Sequence, residues 1–210
     1  MITTQMQTWV GQTGEEYTDR HTHSLEEWEQ MYVDKFGITR TEINSMFLGD
    51  MDRDMRILEV GCNVGNQLLV LQKSGFNNLY GIELQSYAVE VSKQRTEGIN
   101  IIQGSALDIP FKDGFFDMVF TSGVLIHFME SDLPLVMSEI YRCSNKYIWG
   151  FEYYSKDFIE IIWRGKPNMM WKADYVMIYL EDFNLKLVKE KRWDYLTDPN
   201  TDSMFLLEKE

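Results

Sequence analysis

From Arg56 to Tyr153 short apolar runs alternate with segments of helical periodicity, and this alternation limits the fold more than any other feature of the chain. Arg56–Val60 (RILEV) reads as a buried strand, followed by a glycine-bearing turn and a helix from Gly65 to Lys73 that Ser74-Gly75 terminates. The unit then repeats. Leu79–Leu84 is a second strand, Tyr87–Arg95 a second helix, Ile99–Gln103 a third strand and Phe116–Thr121 a fourth; Leu133–Arg142 is a further helix and Lys146–Tyr153 a fifth strand. Such alternation builds a parallel sheet with helices on both faces.

A helix is predicted over Lys172–Leu180, and Leu185–Trp193 and Ser203–Glu208 are predicted strands joined by the turn residues Asp198-Pro199-Asn200. So tight a connection makes that pair antiparallel, because parallel neighbours need a long crossover. The expected fold class is α/β: a doubly wound, mostly parallel seven-stranded sheet with a terminal antiparallel hairpin. Regions 1–54, 55–154 and 155–210 differ in texture, but no Gly/Ser tract separates them, so a single domain spanning 1–210 is expected.

Hydrophobic residues make up 44% and charged residues 25%, the proportions of a globular protein, and no apolar run approaches the roughly 18 residues of a membrane span. The N-terminus lacks the basic and apolar regions of a secretory signal, so a cytoplasmic location is expected. Lys and Arg total 20 against 33 Asp and Glu, a net charge of −13 that repels a nucleic-acid backbone and argues against that substrate class. Cys62 and Cys143 stand apart with no ligand cluster, which reads as two reduced thiols and no metal site. The 13 methionines read as core filling.

In a doubly wound sheet, ligands bind beyond the carboxyl ends of the strands. After the first strand comes Glu59-Val60-Gly61-Cys62-Asn63-Val64-Gly65-Asn66, where two glycines allow close backbone approach and Asn63 tolerates a left-handed conformation. The spacing differs from the GxGxxG of dinucleotide sites, which disfavours a nicotinamide-dependent oxidoreductase. The segment resembles the first motif of Rossmann-like methyltransferases, which wraps S-adenosylmethionine. That resemblance implies S-adenosylmethionine as cofactor, held by Glu59, Gly61, Asn63, Gly65 and Asn66, with Glu83 on the ribose hydroxyls and Leu84 against adenine. It also implies Ser105, Ala106 and Leu107 as ring neighbours, Asp108 either on adenine or capping its turn, and Thr121, Ser122 and Gly123 near the methionine portion. Tyr17 and Arg20 would lie near the methionine carboxylate, in an N-terminal segment that folds over the cofactor and carries a helix at Leu25–Lys35.

More narrowly, the chain resembles the pseudaminic acid biosynthesis-associated methylases. The residues that carry the likeness are ExGxNxGxxL (Glu59 to Leu68), GVLIH (Gly123–His127), SNKYI (Ser144–Ile148), EYY (Glu152–Tyr154), RG (Arg164-Gly165), the WK pair Trp171-Lys172 and WxGxxGxEYxxR (Trp9 to Arg20). In this family Asn at position 63 is ordinary. The name records a genomic setting among sialic-acid-like sugar pathways, and implies an acceptor that is a small polar metabolite, a sugar or nucleotide-sugar among the candidates, methylated at oxygen or nitrogen.

Transfer of a methyl group needs alignment and, for a protonated acceptor, a base. His127 fits by position and ordinary pKa, and reads equally as a residue that orients its loop. Glu152 ends the fifth strand as an acceptor ligand or base, and strand alternation forbids Glu152 and Tyr153 from facing the same way. Arg164 and Lys172 read either as anion-recognising groups or as surface ion pairs. A catalytically silent S-adenosylmethionine-binding module is the competing functional class.

Overall fold

The computed structural model describes residues 4–210. In chain order the helices are α1 (Thr4–Val10), α2 (Gln12–Arg20), α3 (Leu25–Phe36), α4 (Arg40–Leu48), α5 (Asn66–Lys73), α6 (Ser86–Arg95), α7 (Leu133–Cys143) and α8 (Tyr175–Asp182). The strands are β1 (Arg56–Val60), β2 (Asn78–Glu83), β3 (Asn100–Gln103), β4 (Phe116–Ser122), β5 (Ser144–Tyr153), β6 (Ile159–Trp163), β7 (Lys166–Lys172), β8 (Leu185–Asp194) and β9 (Thr201–Lys209). The expected seven-stranded sheet is present in the order β3-β2-β1-β4-β5-β9-β8. β1 to β5 run parallel, and β9 is antiparallel to both β5 and β8.

Strand alternation feeds two cores. Ile57, Phe120 and Leu206 face Ile43, Phe47, Leu68 and Leu71 of α4 and α5, while their neighbours Leu58, Val119 and Leu207 face Val136 and Ile140 of α7 and Tyr179 of α8. All are buried, each apolar side chain stabilising by about 1.5–3 kcal/mol. The sheet is thus held from both faces, and its carboxyl edge is left for a site.

α3 begins where Ser24 accepts the Glu27 N–H and the Glu27 carboxylate accepts the Ser24 N–H, a reciprocal cap that fixes its first turn. Thr39 and Glu42 do the same for α4, a helix that the sequence reading passed over. Between β5 and α8 lies a second correction. β6 and β7 form a separate two-stranded antiparallel sheet, turned at Arg164-Gly165 with φ of 50° and 78°. Lys172 pairs with Ile159 in that ladder, so the helix expected from Lys172 starts instead at Tyr175, where Asp174 accepts the Met177 N–H at 3.1 Å. Among the described residues no helix is long and apolar enough to cross a membrane, and no cluster of potential metal ligands occurs.

Candidate active site

A cavity of about 510 Å³ opens along the carboxyl edge of the sheet, roofed by α1 to α3. Its floor begins with the loop after β1. Gly61 has φ of 71°, and a Cβ there would lie 2.8 Å from Val124, so this backbone needs glycine. The Gly61 and Cys62 N–H groups both bond the Ile82 carbonyl, pinning the loop to β2. Asn63 adopts φ of 46°; its N–H donates to Glu83 Oε2 at 2.8 Å and its side-chain oxygen accepts from Thr18 of α2 at 3.1 Å. Asparagine therefore does what glycine cannot, tying the loop to the roof.

Glu83 receives one backbone N–H on each oxygen, from Asn63 and Gln85, both at 2.8 Å. Burial raises its pKa and these bonds oppose the rise. A carboxylate offers about four lone-pair sites, so both oxygens keep acceptor capacity toward the cavity. Glu59 is 3% exposed and its Oε2 has no partner; burial pushes its pKa up, with the Arg40 charge opposing. Arg20 also lines the cavity with its Nε unpartnered. Tyr17 lies beside it, stacked on His21 at 3.8 Å, its hydroxyl pushed up to about 12 by burial and by Glu83.

Of the other predicted residues, Asn66, Leu84, Ser105, Ala106, Ser122 and His127 line the same cavity. Asn66 is also tied to the His21 carbonyl and to Arg95. Five stand back from the cavity. Gly65 caps α5 with φ of 81°. Leu107 packs into the α7-side core, because the Ser105–Asp108 turn directs it there, and Asp108 is exposed. Thr121 is buried within β4, hydrogen-bonded to Glu152. Glu152, 1% exposed, takes the Val124 N–H on both oxygens at 2.9 and 3.1 Å, so the reading of it as an acceptor ligand is corrected: it braces the turn after β4.

Alternation along β5 instead presents Tyr153 to the cavity. His127 Nδ1 lies 3.1 Å from the Met169 carbonyl, which fixes the proton on that nitrogen and leaves Nε2 as an acceptor. Its ring meets Trp9 at 4.5 Å, and burial lowers its pKa to about 4, so it is neutral near pH 7. Arg164 lines the mouth over Trp163; Lys172 does not line it and bonds Asn200.

Sequence reasoning missed Trp28, Tyr32, Lys35, Gln67, Tyr195 and Asp202, which line the cavity, and Arg40 beneath it. Arg40 is fully buried. It bonds Asn44 at 2.8 Å, Tyr32 at 3.0 Å and Ser122 at 3.5 Å, and lies 4.3 Å from the Phe151 ring centroid, joining α3 and α4 to the ends of β4 and β5. The Thr39–Glu42 cap before an apolar Ile43/Phe47/Leu48 face was the available signal.

Residues 58–146 match the family model described as a methyltransferase domain. The chain is 27% identical over 81 residues to O-methyltransferase rstn1 of Aspergillus nomiae, covering 36% of each chain. It is 31% identical over 72 residues to demethylmenaquinone methyltransferase of Staphylococcus aureus, covering 32% of this chain and 30% of the relative. The matches thus span about a third of these curated relatives. Magnesium protoporphyrin IX methyltransferase of Synechocystis, solved with bound SAH, superposes with a TM-score of 0.72 at 12% identity over 98% of both chains. The fold is the Rossmann-like methyltransferase fold, and its central segment matches the methyltransferase domain.

Proposed function

We propose that this chain is an S-adenosylmethionine-dependent methyltransferase acting on oxygen or nitrogen of a small polar metabolite. The observation that carries the reading is the pair of unpartnered buried atoms of residues lining one cavity, Glu59 Oε2 and Arg20 Nε. An amino-acid head group offers a cation to the first and a carboxylate to the second. Glu83 retains acceptor capacity for ribose hydroxyls, and Leu84, Ser105 and Ala106 supply the slot for a flat base. The residues present therefore fit the cofactor, which when bound supplies an activated methyl group on a sulfonium.

The chain's own contribution is alignment and exclusion of water. Trp9, Tyr17 and Trp28 close the cavity, and neutral His127 presents an acceptor nitrogen without adding positive charge. For the acceptor we favour a sugar or nucleotide-sugar, supported by the motif likeness stated above and by a cavity of metabolite size. A cytoplasmic setting is supported by the two buried free thiols, Cys62 and Cys143.

Calorimetry with S-adenosylmethionine and S-adenosylhomocysteine tests the reading. Micromolar binding is expected, in the usual range of enzyme affinities. Glu83→Ala should weaken it by about 10- to 100-fold, the equivalent of losing a charge-assisted contact of roughly 1.5–3 kcal/mol. No binding of either compound, or binding indifferent to Glu83→Ala, sinks it.

A further inference from the structure

Lys35 of α3, Tyr195 just past β8 and Asp202 at the start of β9 line the cavity on the β5 side, away from Glu83. Asp202 pairs with Tyr153 across β5 and β9, so the antiparallel return of β9 brings its first residues to the carboxyl edge of the sheet. The Tyr195 hydroxyl lies 3.1 and 3.2 Å from the two Asp202 oxygens and 3.5 Å from Lys35 Nζ. Among the described residues no direct ion pair joins Lys35 or Asp202 to any opposite charge.

We propose that Lys35, Tyr195 and Asp202 form the methyl-acceptor subsite and that it selects an uncharged, hydroxyl-bearing group. The inference rests on the methyltransferase reading above. An ammonium has three donors and a carboxylate about four acceptor sites, and a single tyrosine hydroxyl does not exhaust either. The two charges flank that hydroxyl without touching. A ligand hydroxyl set beside the Tyr195 hydroxyl, on its cavity side, donates to Asp202 and accepts from Lys35 through two hydrogen bonds of about 2.8 Å each. A ligand carboxylate or phosphate meets the Asp202 charge, and a ligand ammonium meets Lys35. Each charged class is attracted by one member and repelled by the other, whereas a neutral hydroxyl hydrogen-bonds both without repulsion.

The surroundings strengthen this selection. Asp202 is 4% exposed and Tyr195 9%, so charges here are poorly screened by solvent. Burial pushes Asp202 up to about 6, which leaves it ionised near neutrality, and lowers the Lys35 pKa. Trp28, Tyr32, Phe151 and Tyr153 give the lobe aromatic walls, with the Arg40 guanidinium behind Tyr32 and Phe151 and with Lys172 and Asp198 acting on the pair from further off.

The test uses the full chain saturated with S-adenosylhomocysteine and titrated calorimetrically near pH 7 with glucose, glucuronate and glucosamine, which share a pyranose body and differ in charge. Wild type should take glucose at least about tenfold more tightly than either charged probe. Asp202→Asn should narrow the gap for glucuronate, Lys35→Met should narrow it for glucosamine, and Tyr195→Phe should weaken glucose about tenfold. S-adenosylhomocysteine affinity should stay unchanged in all three, which also reports their folding. Equal or tighter binding of a charged probe, charge preferences that persist in the variants, or no glucose binding at millimolar concentration overturns the proposal while leaving the cofactor reading intact. Failure of wild type to bind S-adenosylhomocysteine overturns both.

Discussion

Glu152 holds the backbone N–H of Val124 with both carboxylate oxygens, at 2.9 and 3.1 Å, from the buried side of β5. Burial raises its pKa to about 7, against the donors of the Val124 turn. The folded state therefore keeps this proton at pH values where the unfolded chain has released it. The Glu152 contribution to stability falls as pH rises from the ordinary glutamate range to about 7 and is level above that, a change on the order of 3 kcal/mol. Glu152→Gln removes this titration. Thermal melts of both proteins from pH 5 to 8 should show wild type losing ground to the variant as pH rises. Parallel curves across that range would contradict the account.

How much of this was legible in sequence depends on distance along the chain. Gly61, Asn63, Glu83 and Ser105 lie at or just past the ends of their strands, so a strand pattern and a turn composition were enough to bring them to one edge. Alternation along β5 correctly forbade Glu152 and Tyr153 from sharing a face, but the choice between them needed the register of β5 against β9 and the turn at Val124. Lys35, Arg40 and Asp202 were invisible because no local pattern places them. They come from two helices and a returning strand, and only packing through Phe36, Phe151 and Tyr195 gathers them. The β6–β7 hairpin was hidden by its short strands and the two-residue turn at Arg164-Gly165.

Asn63 gives a graded test of the loop. Alanine would lose the Thr18 bond and still have to hold φ of 46°, costing about 2 kcal/mol in total. Glycine would lose only the bond while accepting the backbone conformation. Asn63→Ala should therefore weaken S-adenosylhomocysteine binding more than Asn63→Gly, and Thr18→Val should match the glycine variant. Titration calorimetry orders the three; an alanine variant as good as glycine would show that the left-handed conformation carries no cost here.

The roof can be tested apart from the core. Gly14 of α2 packs so closely on α1 that a Cβ would lie 1.8 Å from the Trp9 carbonyl oxygen, a backbone atom with no rotamer to yield. At Gly11 the nearest atom is an ordinary 3.4 Å away. The buried apolar core begins at Phe36, so displacing α1 and α2 leaves it whole. Gly14→Ala should push Trp9 and Tyr17 off the cavity, weakening S-adenosylhomocysteine by about tenfold or more while the melting temperature of the unliganded protein moves little. Gly11→Ala should leave both nearly unchanged. If Gly14→Ala instead lowers the unliganded melting temperature strongly with cofactor affinity preserved, α1 and α2 belong to the core's stability and do not serve as a roof over the site.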